Sequence, residues 1–218
     1  MNVPEVVRAP LAVDLRGRVA LVTGGGTGIG RAISIGLARC GATVAISFRR
    51  SQEEAETTLR EIEAAGGSAW LHRCDVAAED DVAALAAAVH ARAGGLDILV
   101  ANAGGPVVAG VSTEAISAQQ WAAGLATNCD SIFYCVKHMA PLLPAPGGRI
   151  IVTSSISART GARPGGLNYA AAKGAVNNMV RTGHRSWARA ASPSTPSPQG
   201  SSAPASTRRV RPTLSTHS

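Results

Sequence analysis

Features that would assign this chain of 218 residues to several other protein classes are scarce or absent. Aromatic residues make up 3% of the sequence, so a core has to be built mainly from Ala, Val, Ile and Leu. No apolar run is long enough to span a bilayer, and Glu5, Arg8 and Pro10 stand where a signal peptide needs an apolar segment. With 45% hydrophobic residues, the composition predicts a globular protein of the cytoplasm.

Side chains that commonly bind metals or form disulfides are few and widely separated. The cysteines form no Cys-x-x-Cys pair, and their surroundings predict free thiols that pack as small hydrophobic groups: Cys40, Cys74, Cys129 and Cys135. Three histidines lack neighbours at metal-ligand spacing and are predicted to be surface or packing residues: His72, His90 and His138. The sequence therefore predicts no metal site and a reducing compartment.

Acidic residues are absent after Asp130, although the whole chain has a formal net charge of +7. Six of these charges come from arginines beyond residue 180, so residues 1–180 carry a net charge of only +1. A tail that binds nucleic acid or a membrane needs clustered lysines, aromatic side chains or an amphipathic face, whereas this tail has scattered arginines. The charge therefore predicts neither a nucleic-acid partner nor a membrane partner.

The first recognisable unit of the chain is a strand, a glycine-rich turn, a helix and a second strand. Residues 18–23 (RVALVT) are typical of a buried parallel strand, residues 31–40 of a helix, and residues 43–48 (TVAISF) of the next strand. Glycines between the first strand and the helix let the backbone approach a pyrophosphate, whose charge meets the helix N-terminus. The unit therefore predicts a dinucleotide-binding turn built on Gly24, Gly28 and Gly30.

Two arginines follow the second strand at the place that often selects between NAD and NADP. In NAD-binding proteins a carboxylate here accepts hydrogen bonds from the adenosine ribose. This chain has Phe48, followed by Arg49 and Arg50, whose guanidinium groups would bind a 2′-phosphate. The sequence favours NADP(H) over NAD(H); the alternative is two solvated arginines that open a helix.

Strands and helices keep alternating through residue 153. Helices are predicted over residues 51–65 and 78–93 and from Ser117 toward Met139, and strands over residues 69–74, 96–100 and 149–153. This alternation predicts an α/β fold of the Rossmann type, a doubly wound parallel sheet with helices on both faces. The loops at the carboxyl ends of the strands, which include Asp75 and Asn102, should converge on the cofactor.

Tyr169 and Lys173 stand one helical turn apart in residues 168–173 (NYAAAK). A cation beside a phenol favours the phenolate, and such a pair can act as general acid and base. The alternative is an alanine-rich surface helix that carries both side chains by chance. Asn128 is polar within an apolar stretch, so it is either a satisfied core residue or a site residue.

In combination and in order, these motifs resemble the short-chain dehydrogenase/reductase family. The resemblance runs from about residue 17 to residue 181 and rests on TGGGTGIG at residues 23–30, Asp75-Val76, Asn102-Ala103-Gly104, Asn128, Ser154-Ser155 and Tyr169-x-x-x-Lys173. It implies an oxidoreductase that transfers a hydride between NADP(H) and a carbonyl compound or secondary alcohol. Family members with all these motifs include the 3-oxoacyl-acyl-carrier-protein reductases.

The resemblance also implies roles for individual residues. Tyr169 would be the general acid or base at the substrate oxygen, and Lys173 would support it and hold the nicotinamide ribose. Ser155 would hydrogen-bond the substrate carbonyl, and Asn128 would order a water of the proton relay. The cofactor would lie against Thr23, Gly24, Gly28, Ile29, Gly30, Arg49, Asp75, Val76, Asn102, Ala103, Gly104, Tyr169 and Lys173. Because Ser155 is one residue farther from Tyr169 than is usual in the family, Ser154 and Ser157 are alternatives for its role.

The resemblance ends in the C-terminal part of the chain. Three segments are predicted: a flexible leader over residues 1–14, a truncated dinucleotide-binding domain over residues 15–186, and a disordered Ser-, Pro- and Arg-rich tail over residues 187–218. Read one base earlier, the codons of residues 187–200 are compatible with LGPRGIxVNTVAPG, a segment that the family has here. We therefore expect a shift of reading frame between Arg181 and Trp187, which would leave the C-terminal strands missing or scrambled.

Two functional expectations depend on that tail. An intact family member is expected to be a homo-oligomer that acts on a small molecule, but without its last strands this chain would expose a sheet edge. The alternative function is a nucleotide-binding product of a frameshifted gene that has no turnover.

Overall fold

The fold is built on a parallel β-sheet. The computed structural model describes residues 13–108 and 110–190. Five strands, in the order β3-β2-β1-β4-β5, form the sheet: β1 (Val19–Thr23), β2 (Thr43–Phe48), β3 (Ser68–Arg73), β4 (Ile98–Ala101) and β5 (Arg149–Val152). All neighbouring strands are parallel, and Leu21 of β1 lies between Ala45 and Leu99. The predicted doubly wound sheet is therefore confirmed.

Helices cover both faces of this sheet, as predicted. They are α1 (Gly28–Arg39), α2 (Gln52–Ala64), α3 (Glu79–Ala93), α4 (Ala118–Leu125), α5 (Ser131–Met139), α6 (Ser157–Thr160) and α7 (Leu167–Ala190). On one face, Ile35 of α1 and Ile62 of α2 pack against Val22 and its neighbours. On the other face, Leu85 of α3 packs with Leu21 and with side chains of α5 and α7. Apolar side chains on alternate positions of β1, β2, β3 and β4 thus supply two cores, whereas β5 contributes Ile150 and Val152 to the second core only.

The chain reverses its winding direction at β1. From β1 it first builds β2 and β3 on one side, and then β4 and β5 on the other side. The helices that follow β1 and β4 consequently leave the sheet on opposite faces, and a crevice opens at the carboxyl ends of these two strands. In open α/β sheets, ligands bind in a crevice of this kind.

The predicted helix from Ser117 toward Met139 is continuous but not uniform. Ser117 begins α4 with a capping box in which its side chain and that of Gln120 each accept a main-chain hydrogen bond from the other residue. Between α4 and α5 the residues Ala126–Asp130 form one π-helical turn. Turns of this kind are frequent at functional sites, and this one holds Asn128.

The structure corrects two predicted boundaries. Helix α1 begins at Gly28, so Gly28 and Gly30 belong to the first helical turn and not to the preceding loop. Helix α7 extends to Ala190, past the start of the predicted tail at residue 187, because Ala188, Arg189 and Ala190 are good helix formers and the next proline comes only at residue 193. The rest of the predicted tail and residues 1–12 of the leader lie outside the described residues. Within the described part, no strand follows β5.

The cysteines behave as predicted, since all four are free thiols. Cys74 and Cys135 lie in the core, and burial raises the pKa of each thiol to about 12. In the described part of the chain, no cluster of three or more His, Cys, Asp or Glu side chains could hold a metal ion. No helix in that part is long and apolar enough to cross a membrane.

Candidate active site

A glycine-rich turn joins β1 to α1 at the carboxyl edge of the sheet. Gly24 has a left-handed φ of 62° and Gly28 one of 50°, conformations that other residues rarely adopt. A Cβ atom at Gly30 would lie 2.1 Å from the carbonyl oxygen of Gly24, so the turn and helix pack too closely for a side chain. Thr27 provides no side-chain cap to α1, and Ile29 is 67% exposed beside it. The uncapped helix N-terminus with its close backbone fits the pyrophosphate of a dinucleotide.

Hydrogen bonds join the carboxyl ends of β1, β4 and β5. The hydroxyl oxygen of Thr23, a buried residue, accepts from the N–H groups of Asn102 and Ala103, each at 3.0 Å. The side-chain amide of Asn102 donates to the Thr23 carbonyl at 3.0 Å, and the Thr153 hydroxyl donates to Asn102 Oδ1 at 3.2 Å. Thr23 and Asn102 therefore shape the crevice by holding its loops in place.

Asn128 is completely buried, and its side chain is satisfied by main-chain groups. Its Oδ1 accepts from the N–H of Gly105 at 2.8 Å, while its Nδ2 donates to the carbonyls of Gly105 and Gly124 at 2.9 and 3.0 Å. Both amide hydrogens are therefore in use. A water ordered by Asn128 would have to bind at Oδ1 or at the main-chain carbonyl.

Gly104 lies between Asn128 and Lys173. Its φ of 152° is one that L side chains rarely adopt, and an added Cβ would lie 2.7 Å from Asn128 Oδ1 and 3.5 Å from Lys173 Nζ. The loop after β4 can therefore pass these two side chains only if residue 104 is a glycine. At this point the loop lies between Asn128 of the π-helical turn and Lys173 in the interior of α7.

Among the residues that the structure describes, Lys173 is the largest side chain that is almost fully buried, with 2% of its surface exposed. Its Nζ donates to the main-chain carbonyl of Thr153 at 2.8 Å, which uses one of three N–H donors. Burial lowers the pKa of Lys173 from its usual value of 10.5. Because burying an ammonium costs free energy, its presence here points to a functional role rather than to packing.

Tyr169 is half-buried, and its ring centroid lies 5.7 Å from Lys173 Nζ. The preceding residue, Asn168, fixes the start of α7: its Nδ2 donates to the Gln120 carbonyl at 3.1 Å, and its Oδ1 accepts from the Tyr169 N–H at 2.8 Å. Helices α4 and α7 approach so closely that a Cβ at Gly124 would lie 2.3 Å from Asn168 Nδ2. The structure thus places phenol and ammonium together at one packed helix end.

The serines after β5 have different hydrogen-bond partners. The Ser154 hydroxyl donates to Oδ1 of Asn177 on α7 at 2.7 Å, so its proton is already used. The Ser155 hydroxyl oxygen accepts from the Ser157 N–H at 3.1 Å, which leaves its proton free to donate. Of Ser154 and Ser155, only Ser155 thus keeps a hydroxyl proton without an acceptor among the described residues, which suits donation to a substrate oxygen.

Arg49 lies with Asp75 in a cleft beyond the ends of β2 and β3. Its Nη1 atom is 3.4 and 3.2 Å from the two carboxylate oxygens of Asp75. Asp75 is itself held by the Ala77 N–H, which donates to Oδ1 at 3.1 Å, and Val76 is buried behind it. The sequence-predicted residues for the adenosine half of the cofactor are therefore brought together here.

The model of the short chain dehydrogenase family matches residues 18–191. The chain belongs to this family. Among curated relatives, this chain is 39% identical over 171 residues to General stress protein 39 of Bacillus subtilis (strain 168), an alignment that covers 78% of this chain and 59% of the relative. It is 35% identical over 170 residues to the 3-oxoacyl-(acyl-carrier-protein) reductase FabG of Staphylococcus aureus (strain Mu50), which covers 78% and 68%. It thus spans less than two thirds of the length of some of its relatives.

Solved structures share the fold of this chain. A short-chain dehydrogenase from Burkholderia cenocepacia J2315 in complex with NADP is 36% identical, with a TM-score of 0.74 over 79% of this chain and 69% of the other. A metagenomic short-chain oxidoreductase in complex with NADP is 34% identical, with a TM-score of 0.75 over 80% and 78%. The fold expected from the sequence resemblance is confirmed.

The sequence did not single out three residues that the fold brings to the candidate site. Thr153 supplies the carbonyl for Lys173, Asn177 binds Ser154, and Arg73 lines the cleft beside Arg49. Asn177 follows Lys173 by one helical turn, so helical spacing could have indicated it. Arg73 is the last residue of β3, and Arg49 directly follows the neighbouring strand β2. Only the register of β2 and β3 shows that these two arginines are neighbours.

Proposed function

We propose that this chain is an NADP(H)-dependent oxidoreductase that transfers a hydride between the cofactor and a small-molecule carbonyl compound or secondary alcohol. The observation that carries the proposal is the buried Lys173, held by the Thr153 carbonyl one helical turn from Tyr169. A buried ammonium beside a phenol at the mouth of a dinucleotide crevice can take part in acid-base chemistry, whereas it adds nothing favourable to packing because burying a charge costs free energy.

The residues of the crevice fit a dinucleotide. The turn from Gly24 to Gly30 and the N-terminus of α1 would hold the pyrophosphate, and Asp75 with Val76 would border the adenine. The loop formed by Asn102, Ala103 and Gly104 would lie along the cofactor, and Lys173 would bind the nicotinamide ribose. The nicotinamide supplies or accepts the hydride when the cofactor is bound.

The remaining chemistry belongs to side chains of the protein. Ser155 donates a hydrogen bond to the substrate oxygen, which gains negative charge as the carbonyl is reduced. Tyr169 gives its proton to that oxygen in reduction and takes it back in oxidation. Lys173 lies beside Tyr169, and the N–H donors that the Thr153 carbonyl does not use can hold the nicotinamide ribose next to the phenol. Asn128 holds the loop at Gly105 in place beside this relay.

The relatives support a carbonyl substrate. One is a 3-oxoacyl-(acyl-carrier-protein) reductase, and another, 35% identical over 164 residues, is a 3beta-hydroxysteroid dehydrogenase of Mediterraneibacter gnavus. Both names describe chemistry at a ketone or secondary alcohol, so that class of group is proposed for this chain. The NADP in two similar structures and the arginines after β2 support NADP(H) over NAD(H).

A second candidate function is nucleotide binding without turnover, which the frameshift proposal favours. Among the described residues β5 has no neighbour on its outer side, and Ile151 on it is 50% exposed. A chain without further strands would lack one wall of the substrate pocket and would leave this sheet edge open.

The experiment that separates the two candidates follows NADPH consumption with a panel of ketones, including a 3-oxoacyl thioester and a 3-oxosteroid. It is run on this chain and on a chain whose gene has been returned to the other reading frame near codon 181. Turnover by this chain supports the first candidate. Turnover by the restored chain alone supports the second, and turnover by neither, when both fold and bind NADPH, contradicts the proposed enzyme.

The reading-frame proposal has its own test at the level of the gene. Sequencing the nucleotides from codon 178 to codon 200 shows whether the neighbouring frame encodes VNTVAPG. If it does not, the proposed frameshift is wrong, and the C-terminal sequence is the true one.

A further inference from the structure

Four basic side chains border the cleft beyond the ends of β2 and β3. The cleft has a volume of about 390 Å³ and is lined by Arg49, Arg50, His72, Arg73, Asp75, Asp81 and Ala84. Three guanidinium groups and two carboxylates leave one positive charge without a counter-charge in the cleft, even with a neutral His72. A cavity with excess positive charge at the adenosine end of the dinucleotide site suits an additional phosphate.

Arg49, the residue that sequence reasoning selects for this phosphate, is already engaged. Its Nη1 lies within 3.4 Å of both oxygens of Asp75, so a carboxylate partly compensates its charge. A phosphate that binds Arg49 must compete with Asp75 and would itself lie near the anionic carboxylate. Both effects reduce what Arg49 contributes to the discrimination between NADP and NAD.

Arg73 differs from Arg49 in both respects. In the described part of the chain it has no carboxylate partner, and its side chain is anchored because its Nε donates to the main-chain carbonyl of Arg49 at 3.3 Å. The β2–β3 register places Arg73 directly beside Phe48, so its guanidinium lies across the end of β2. A guanidinium that is already oriented loses less freedom when it binds a phosphate.

Arg50 is the other arginine of the cleft without a carboxylate partner among the described residues. No side-chain hydrogen bond anchors it in that part of the structure, whereas Arg73 is anchored. A mobile side chain pays more conformational entropy for the same contact, so Arg50 is expected to add a smaller share.

We propose that Arg73, at the end of β3, is the main residue through which this chain selects the 2′-phosphate of NADP, with Arg49 in a secondary role because of its ion pair with Asp75. The proposal rests on the proposed dinucleotide function but not on turnover. It assigns the selection of NADP over NAD to a residue of β3, whereas the sequence pattern points to the arginines that follow β2.

Two fragments of the cofactor isolate the effect. Adenosine 2′,5′-bisphosphate and 5′-AMP both occupy only the adenosine half of the site and differ by the 2′-phosphate. Titration calorimetry with the full chain should show tighter binding of the bisphosphate. Arg73→Gln should weaken bisphosphate binding about tenfold or more, the size of one lost charge-assisted contact, and leave 5′-AMP binding within about twofold.

Two further variants complete the comparison. Arg49→Gln should weaken bisphosphate binding less than Arg73→Gln does. Arg60→Gln is the matched control, because Arg60 is an exposed arginine of α2 whose partners are Thr57 and Glu56 and which does not line the cleft. It should bind both fragments as the unchanged chain does. Thermal unfolding of all the variants checks that each is folded.

Each other outcome overturns the proposal in a different way. If Arg73→Gln weakens both fragments equally, or neither, Arg73 does not recognise the 2′-phosphate. If Arg49→Gln removes the whole preference, Arg49 is the selector. If the unchanged chain binds both fragments equally, the preference for NADP is wrong but the dinucleotide site stands. If it binds neither, the proposed cofactor site is refuted as well.

Discussion

The ammonium group of Lys173 on α7 donates a 2.8 Å hydrogen bond to the main-chain carbonyl of Thr153 at the end of β5. One helical turn farther along α7, Asn177 accepts a hydrogen bond from Ser154. Two successive residues after the strand are thus bound by two successive turns of the helix. This pairing holds Ser155, the next residue, at the same end of the sheet as Tyr169.

Lys173→Met should change how stability depends on pH. Burial lowers the pKa of Lys173 below 10.5, so between that lowered value and pH 10.5 the unfolded chain holds a proton that the folded chain has lost. The free energy of unfolding of the unchanged protein should therefore rise with pH in this window relative to that of Lys173→Met. Denaturant titrations at several pH values measure the difference.

The control for this prediction is Lys137→Met. Lys137 is half-exposed on α5 and pairs with Glu79. Its replacement should therefore leave the rise of the free energy of unfolding with pH, measured relative to Lys173→Met, unchanged. The pKa values of Cys74 and Cys135, raised above 9.0, lower stability at high pH in all three proteins, so only differences between proteins are informative. Parallel pH profiles for the unchanged chain and Lys173→Met would contradict the burial of a charged ammonium.

Asn128→Asp should destabilise the fold although the two side chains have nearly the same shape. The carboxylate loses both donors to the carbonyls of Gly105 and Gly124 and faces them with negative charge. A loss of about 3 kcal/mol in the free energy of unfolding is expected, measured in urea. Asn178→Asp on the exposed face of α7 should cost little, since it can still accept from Arg181. Equal losses in the free energy of unfolding for the two variants would contradict a stabilising role for the hydrogen bonds from Asn128 to Gly105 and Gly124.

Gly30→Ala and Gly36→Ala add the same methyl group to helix α1 with opposite expected results. At Gly30 the Cβ would lie 2.1 Å from the Gly24 carbonyl oxygen, so the turn must move and NADPH binding should be lost. At Gly36 a Cβ meets nothing within 4 Å, so alanine should stabilise by about 0.5–1 kcal/mol and leave binding intact. Fluorescence titration with NADPH and thermal unfolding measure both effects. Normal NADPH binding by Gly30→Ala would refute the pyrophosphate role of the turn.

The parts of the fold that follow from local pattern were predictable from the sequence. Buried parallel strands are continuous apolar runs, and the glycines between β1 and α1 are required by backbone geometry, so both leave a clear signal. Helical spacing predicted that Tyr169 and Lys173 lie close together, but only the combination of motifs distinguished the pair from a chance arrangement. The end of α7 was not, because composition suggested disorder at residue 187 where helix propensity carries the helix to Ala190.

Features that depend on tertiary contacts left no such signal. The π-helical turn holds Asn128, whose side chain hydrogen-bonds Gly105, a residue 23 positions earlier in the sequence. No local sequence pattern predicts this contact. The pairing of Arg49 with Asp75 and the approach of Arg73 need the register of β2 and β3. Similarly, the sequence left three serines open for one role, and only their hydrogen-bond partners distinguish Ser155 from Ser154.

The two tyrosines of the chain offer the most direct measurement of the proposed mechanism. Tyr169→Phe removes one hydroxyl beside Lys173, and Tyr134→Phe removes one from α5, where Tyr134 packs against Phe133. NADPH affinity and the rate of NADPH-dependent ketone reduction are measured for both variants and the unchanged chain. Tyr169→Phe should lower kcat by about 10²–10⁴-fold with NADPH affinity nearly unchanged, while Tyr134→Phe retains activity. Turnover by Tyr169→Phe at the rate of the unchanged chain would contradict the role of Tyr169 as the acid and base.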